Sequence, residues 1–112
     1  MSLIYQQLST LLRELEGEMC RQGLWEAEPP SPEALASDQP FAVDTLRFSQ
    51  WLQFVFIARL RVLVDSRALL PGSCAVRPMA EESLKGLPQD TGQIEHLLGE
   101  VDALLTARGT TH

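Results

Sequence analysis

Ile4, Leu8, Leu11, Leu12, Leu15 and Met19 recur at steps of three and four, which places them on one stripe of an α-helix. Arg13, Glu14, Glu16 and Glu18 fall off that stripe. Ser2 stands where a cap is needed, and Gly23 is a natural stop after about twenty residues. Gly17 lies off the apolar stripe and only weakens the helix.

A second helix is expected from a cap at Asp44 or Thr45 to about Ser66. Its apolar positions run from Leu46 and Phe48 to Leu63 and Val64, and over 51–57 it is apolar nearly all round. A helix of that kind is covered on several sides, so it belongs at the centre of the core or offers one face to a partner. Leu70-Pro71-Gly72-Ser73 reads as a turn. Pro78 opens a short third helix with Glu81 and Glu82 in its first turn, and Gly86 and Pro88 end it. Ile94, Leu97, Leu98, Val101, Leu104 and Leu105 define a last helix, with Asp90 and Gln93 at capping-box spacing and Gly109 as its end. Residues 109–112 are expected to fray.

Between the first two long helices, Pro29, Pro30, Pro32 and Pro40 exclude a long helix. Ser31-Pro32-Glu33 is a helix entry, so one turn is expected over 32–36. Leu24, Trp25, Leu35, Phe41 and Val43 are spaced through this stretch, and segment 24–44 therefore reads as a proline-rich loop packed on the bundle. No strand pattern of useful length occurs. The expectation is an all-α, compact four-helix bundle, three helices long and one short, forming a single domain over 1–112.

Charge narrows the function. The chain has 112 residues and a formal net charge of −6, which disfavours a general nucleic-acid or anionic-membrane surface. The charge is uneven: residues 45–80 hold five arginines against Asp65 alone, between two acidic ends. That suggests acid–base complementarity within the fold. Cys20 and Cys74 carry no CxxC spacing and read as buried or partly buried inert thiols. No signal peptide is read at the N-terminus, and no apolar run spans a bilayer, so a cytoplasmic, reduced protein is expected.

Chemistry-bearing groups are sparse. His96 faces Glu100 at four-residue spacing, giving two metal ligands where a structural zinc takes four and a catalytic zinc three. Cys20 lies near a helix C-terminus, where the dipole disfavours a thiolate. No phosphate-binding glycine motif occurs. Arg59 and Arg61 project from different sides of their helix. Asp44 is a candidate partner for Arg59, and an anion site built from Arg59 with Arg47 or Arg77 is an alternative. Trp25, Phe41, Trp51 and Phe54 are candidates for an aromatic cluster under the loop. A pocket there would have Gln39, Asp44, Gln50 and Gln53 near its rim.

At Gln39-Pro40-Phe41, Asp44-Thr45, Trp51-Leu52-Gln53, Ile57-x-Arg59, Leu70-Pro71-Gly72 and Val76-x-Pro78 the chain resembles the YqcC-like family of small bacterial proteins, which has no assigned biochemical role. Met79 stands where that family often carries an aromatic. The resemblance implies an all-helical fold and a loose association with tRNA pseudouridine synthases. The chain itself is too short and too helical to be such an enzyme.

These readings lead to a non-enzymatic interaction module, without cofactor or metal, that binds itself or another protein. The candidate surface is Trp25, Gln39, Phe41, Asp44, Trp51, Gln53 and Arg59. A small-anion binder with its pocket under the loop is the alternative, and an accessory role in tRNA modification is a third reading.

Overall fold

The computed structural model describes residues 3–72 and 74–110. Helix α1 runs Leu3–Arg21 and buries Leu8, Leu12, Leu15 and Met19, with Ile4 and Leu11 half-buried at the stripe's edges. The expected cap, Ser2, lies outside the described residues. Glu18 departs from its expected place on the outer face: it is buried, and its carboxylate accepts hydrogen bonds from Arg21 (2.7 and 2.9 Å) and Gln22 (3.0 Å). The helix ends at the expected glycine. Gly23 adopts φ +74°, its N–H reaches Cys20 O (3.1 Å), and the N–H of Leu24 reaches Met19 O (2.8 Å). Those two bonds define a Schellman cap, whose left-handed residue is usually glycine.

The proline-rich stretch contains the expected single turn, α2 (Pro32–Leu35), capped by Ser31 Oγ accepting from the Ala34 N–H at 3.1 Å. A 3₁₀ turn follows at Pro40–Ala42. Leu24 and Trp25 pack on the core, but Leu35 and Val43 are exposed, so the loop is packed only in part.

Helix α3 is one continuous rod in three pieces: α-helical Phe48–Trp51, a π-helical stretch Leu52–Ile57, and α-helical Ala58–Asp65. It starts later than the expected caps, because both are engaged elsewhere. Asp44 accepts a hydrogen bond from Ser37 Oγ (2.5 Å), and Thr45 Oγ1 donates to Ala34 O (2.6 Å). The cap is supplied instead by Gln50, whose Oε1 accepts from the Arg47 N–H at 2.9 Å. At its far end α3 repeats the geometry of α1. Ala68 N–H bonds Leu63 O (2.9 Å) and Arg67 N–H bonds Val64 O (3.2 Å), but the left-handed position holds Arg67 at φ +56° in place of glycine. Such a conformation costs an L-residue roughly 1–2 kcal/mol.

Helix α4 spans Arg77–Ser83 and α5 spans Gly92–Thr110. Pro78 sits near the start of α4 as expected, but Glu81 and Glu82 fall in its second half. The α4 N-terminus takes its acid from α5 instead, with Asp102 accepting from the N–H groups of Val76 (2.9 Å) and Arg77 (2.8 Å). One turn on, Thr106 Oγ1 accepts from Cys74 N–H and donates to Cys74 O, both at 3.2 Å. At the α5 entry the expected Asp90–Gln93 capping box gives way to other bonds: the helix starts one residue later, Thr91 hydroxyl donates to Glu95 (2.9 Å), four residues on, and Asp90 accepts from Gly92 N–H (3.1 Å). The helix continues past Gly109 rather than stopping there, since a glycine permits a stop without imposing one. Residues 73, 111 and 112, including the expected turn residue Ser73 and the terminal His112, lie outside the described residues.

Helix α1 packs along α5, α4 packs on α5, and the C-terminal part of α3 packs on α1. Leu12, Leu15, Ile57, Ile94, Leu98 and Leu105 centre one continuous core. Among the described residues there is no strand, and no helix is long and apolar enough to cross a membrane.

Two measurements test this account. Gly17 lies in the interior of α1, and a Cβ there meets nothing within 4 Å. Gly17→Ala should therefore stabilise the fold by about 0.5–1 kcal/mol, while Gly23→Ala should destabilise it by roughly 1–2 kcal/mol. Urea denaturation of both variants reads the opposite signs. Hydrogen bonds from Gln22 and then Arg21 hold Glu18 below the usual carboxylate value of 4.5. A depressed pKa contributes stability above the unfolded-state value and loses it as pH falls through the folded one. Wild type should thus exceed Glu18→Gln in stability at neutral pH, and the gap should close on acidification below 4.5.

Candidate functional site: an aromatic-floored groove beside the clamped loop

The polar centre of this region is Gln53. It stands four residues before Ile57 and seven before Leu60, on the core-facing stripe of α3, and it is buried. Its amide pairs both ways with the backbone of one residue: Oε1 accepts from Glu26 N–H and Nε2 donates to Glu26 O, each at 2.8 Å. The Glu26 side chain is held as well. Arg47 Nη2 donates to Oε2 at 2.5 Å and Gln50 Nε2 to Oε1 at 3.3 Å. Three side chains of one segment therefore fix the loop as it leaves α1.

Beyond the clamp, Phe41 sits over the start of α3. Its ring lies 4.7 Å from Trp51 and 6.3 Å from Phe48, while Trp51 stacks on Phe48 (5.8 Å) and Phe56 (5.4 Å). The cluster thus contains Phe48 and Phe56 in place of the expected Trp25 and Phe54. Phe41 and Ala42 both have positive φ, +58° and +51°. Two consecutive non-glycine residues in that region mark stored strain, of order 1–3 kcal/mol each.

A groove of about 530 Å³ opens between this turn and the α4 end of the bundle. Leu24, Phe41 and Phe48 form one side, and Met79, Leu84 and Leu87 the other, with Arg47 on the lining. Val43 and Leu87 on its rim are 56% and 40% exposed. Gln89 also lines the groove, and its buried Oε1 accepts from no protein donor. A buried acceptor in that condition costs roughly 1–3 kcal/mol.

The residues singled out from sequence separate in space. Phe41 lines the groove and Trp51 packs beneath Phe41. Trp25 is half-buried against the core, and Gln53 is spent on the clamp. Gln39 is exposed at the start of the 3₁₀ turn, with its N–H donating to Ser37 Oγ at 3.1 Å. Asp44 is exposed and bonded to Ser37, not to Arg59. Arg59 is exposed on another face, beside Leu35, Phe54 and Val62. The suggested anion site does not assemble, because Arg47 pairs with Glu26 and Arg77 with Glu81. Met79, Leu84 and Gln89 reach the groove through the docking of α4 on α5, which no local sequence rule marks.

Nucleophilic chemistry finds little support at the cysteines. Burial, followed by a hydrogen bond to Asp102, pushes the Cys74 thiol up to about 12, so it stays protonated. Cys20 is exposed rather than buried, as it follows Met19 onto the outer side of α1. His96 lies 3.6 Å from Glu100, and among the described residues no three His, Cys, Asp or Glu side chains group as metal ligands.

These features define a small all-helical fold with an aromatic-floored groove on its surface. The chain belongs to the family DUF446, described as tRNA pseudouridine synthase C, whose model matches residues 7–104. It is 36% identical over 99 residues to the uncharacterized protein YqcC of Escherichia coli K12, covering 88% of this chain and 82% of that protein. An uncharacterized protein of Haemophilus influenzae is 37% identical over 93 residues, 83% of this chain and 84% of that one. A tRNA pseudouridine synthase C of Pectobacterium carotovorum is 37% identical over 67 residues, which make up 60% of this chain but only 18% of that protein. The solution NMR structure of E. coli YqcC superposes with a TM-score of 0.83 at 30% identity, covering 97% of this chain and 93% of that one.

The clamp makes a direct prediction. Gln53→Leu keeps the volume but leaves the Glu26 N–H and C=O without their partner, at roughly 1–3 kcal/mol for each group left buried. Denaturant unfolding should show the loss. Hydrogen exchange at Glu26 should accelerate before that of the α1 and α5 cores.

Proposed function

We propose that this domain is a non-enzymatic protein-interaction module, and that its partner is a tRNA-modifying enzyme of the pseudouridine synthase C kind. The observation that carries the reading is the Pectobacterium relative. There, a segment similar to this chain is a minor part of a protein named tRNA pseudouridine synthase C. A module found within a longer protein in one organism can serve the rest of that protein as a separate chain in another.

The groove supplies a surface of the right chemistry. Its walls are apolar and aromatic, its rim exposes Val43 and Leu87, and Gln89 Oε1 accepts a partner's N–H or O–H. Aromatic anchors in desolvated pockets dominate protein–protein affinity. The strained turn at Phe41 and Ala42 holds the aromatic wall in place, which lowers the ordering cost of binding.

Titration calorimetry of the purified chain with a tRNA pseudouridine synthase C from a bacterium encoding both should give a one-to-one complex. Val43→Asp and Leu87→Glu should each weaken it by about tenfold, or about 1.4 kcal/mol, while Val62→Asp, at an exposed position outside the groove beside Arg59, leaves it unchanged. Absence of a complex overturns the reading, as does a complex indifferent to both groove variants. Light scattering that shows a dimer sealed through Val43 and Leu87 would assign the groove to self-association instead.

A further inference from the structure

Of the five arginines between residues 45 and 80, the fold neutralises three: Arg47 against Glu26, Arg61 against Glu16 and Arg77 against Glu81. Arg59 and Arg67 stay outside every ion pair among the described residues, and so does Arg13 on α1. Two of these meet. Arg13 and Arg67 line one cleft of about 520 Å³ between α1 and the C-terminal end of α3, together with Tyr5, Ser9, Thr10 and Asp65. A smaller adjoining cleft shares Ser9, Arg13 and Asp65 and adds Arg61.

Arg67 is placed there against local preference. It occupies the left-handed position of the α3 cap, where glycine is the unstrained choice, and its guanidinium stands 5.2 Å from the centroid of the Tyr5 ring. Tyr5 is fixed in turn by its hydroxyl, which donates to Ala68 O at 2.7 Å. The arrangement presents a guanidinium on a rigid aromatic support. The facing charges are Arg13 and Arg67 against Asp65, with Arg61 and Glu16 cancelling each other. One positive charge is left over, on a chain whose total is −6.

We infer that this cleft binds a phosphodiester of RNA, with Arg13 and Arg67 as the two guanidinium donors and Ser9 at its wall. A phosphodiester is singly charged and matches the surplus. Guanidinium groups give the planar, paired donors that phosphate oxygens accept. The choice of RNA among phosphoanions rests on the function proposed above; the cleft itself does not. Asp65 is a built-in opposing charge, so binding is weak in the isolated chain and gains from tethering to an RNA-bound enzyme.

The test titrates unmodified tRNA transcript, and separately inorganic phosphate, into the isotope-labelled chain at low salt, followed by NMR. Shifts should centre on Ser9, Thr10, Arg13 and Arg67. Arg13→Ala and Arg67→Ala should each weaken tRNA binding several-fold. Asp65→Asn should strengthen it, a gain that misfolding cannot produce. One phosphate neutralised predicts a shallow slope of log affinity on log salt, about −0.7 to −0.9. Shifts on another face, no binding at low salt, or an Asp65→Asn variant that binds no better overturns the inference. Equal affinity for tRNA and inorganic phosphate makes the cleft a simple anion site and overturns the RNA assignment. Because the chain is used alone, this failure is separable from that of the proposed partner: a synthase complex without tRNA shifts sinks only the cleft, and tRNA shifts without a complex sink only the partner.

Discussion

Gln53 reaches out of the helical core to hold the backbone of Glu26, and the rest of the loop hangs from that contact. A primary amide offers one donor and one acceptor side by side, the same pair that a backbone peptide presents. Two 2.8 Å bonds therefore satisfy one loop residue completely, in a place where water is largely excluded. The segment around Glu26 has no helix or strand to supply those bonds. In a stretch with Pro29, Pro30, Pro32 and Pro40 each proline removes a backbone donor, so the loop depends on side-chain contacts, of which this amide pair is the one that satisfies a backbone residue on both sides. The π-helical stretch belongs to the same arrangement. It begins one residue before Gln53 and ends at Ile57, re-phasing α3 at the point where it carries both the clamp and the aromatic cluster.

Charge does the remaining work of loop placement. The arginine-rich middle of the chain meets acids from its N-terminal part at Arg47–Glu26 and Arg61–Glu16. These pairs are partly exposed and each contributes little to stability. Their effect is on position: Arg47, which is also the residue capped by Gln50, ties the start of α3 to the loop that precedes it. Arg13 and Arg67 stay outside these ion pairs among the described residues and share one cleft.

The architecture was legible because apolar spacing is a direct record of helix faces. The stripe from Ile4 to Met19, the Gly23 stop, the Ser31 cap and the last helix all follow from local rules. What was not legible depended on contacts distant in sequence. Asp44 and Thr45 are good caps in isolation, but Ser37 and the Ala34 carbonyl claim them first. The α4 entry borrows Asp102 from 25 residues away, which leaves Glu81 free to pair with Arg77. Gln53 carried a readable signal, a polar residue in register with Ile57 and Leu60. Its partner is a backbone, and no sequence pattern marks a backbone. For the groove, the apolar residues of α3 were visible, but the far wall at Met79, Leu84 and Leu87 appears only once α4 docks on α5.

The two surfaces stand at opposite ends of α3. Phe48 lines the groove and Val64 the basic cleft, and sixteen residues of helix separate them by about 24 Å. One end is apolar and aromatic, the chemistry proposed for a protein surface; the other is polar and carries Arg13 and Arg67, the chemistry proposed for a phosphate. A rigid rod between two unlike surfaces fixes the distance and the angle between what they hold. That is the geometry the proposed module needs in order to orient one macromolecule relative to another. On the proposed reading, an overall charge of −6 disfavours indiscriminate contact with nucleic acid, and the cleft fills more readily once the groove has brought it close.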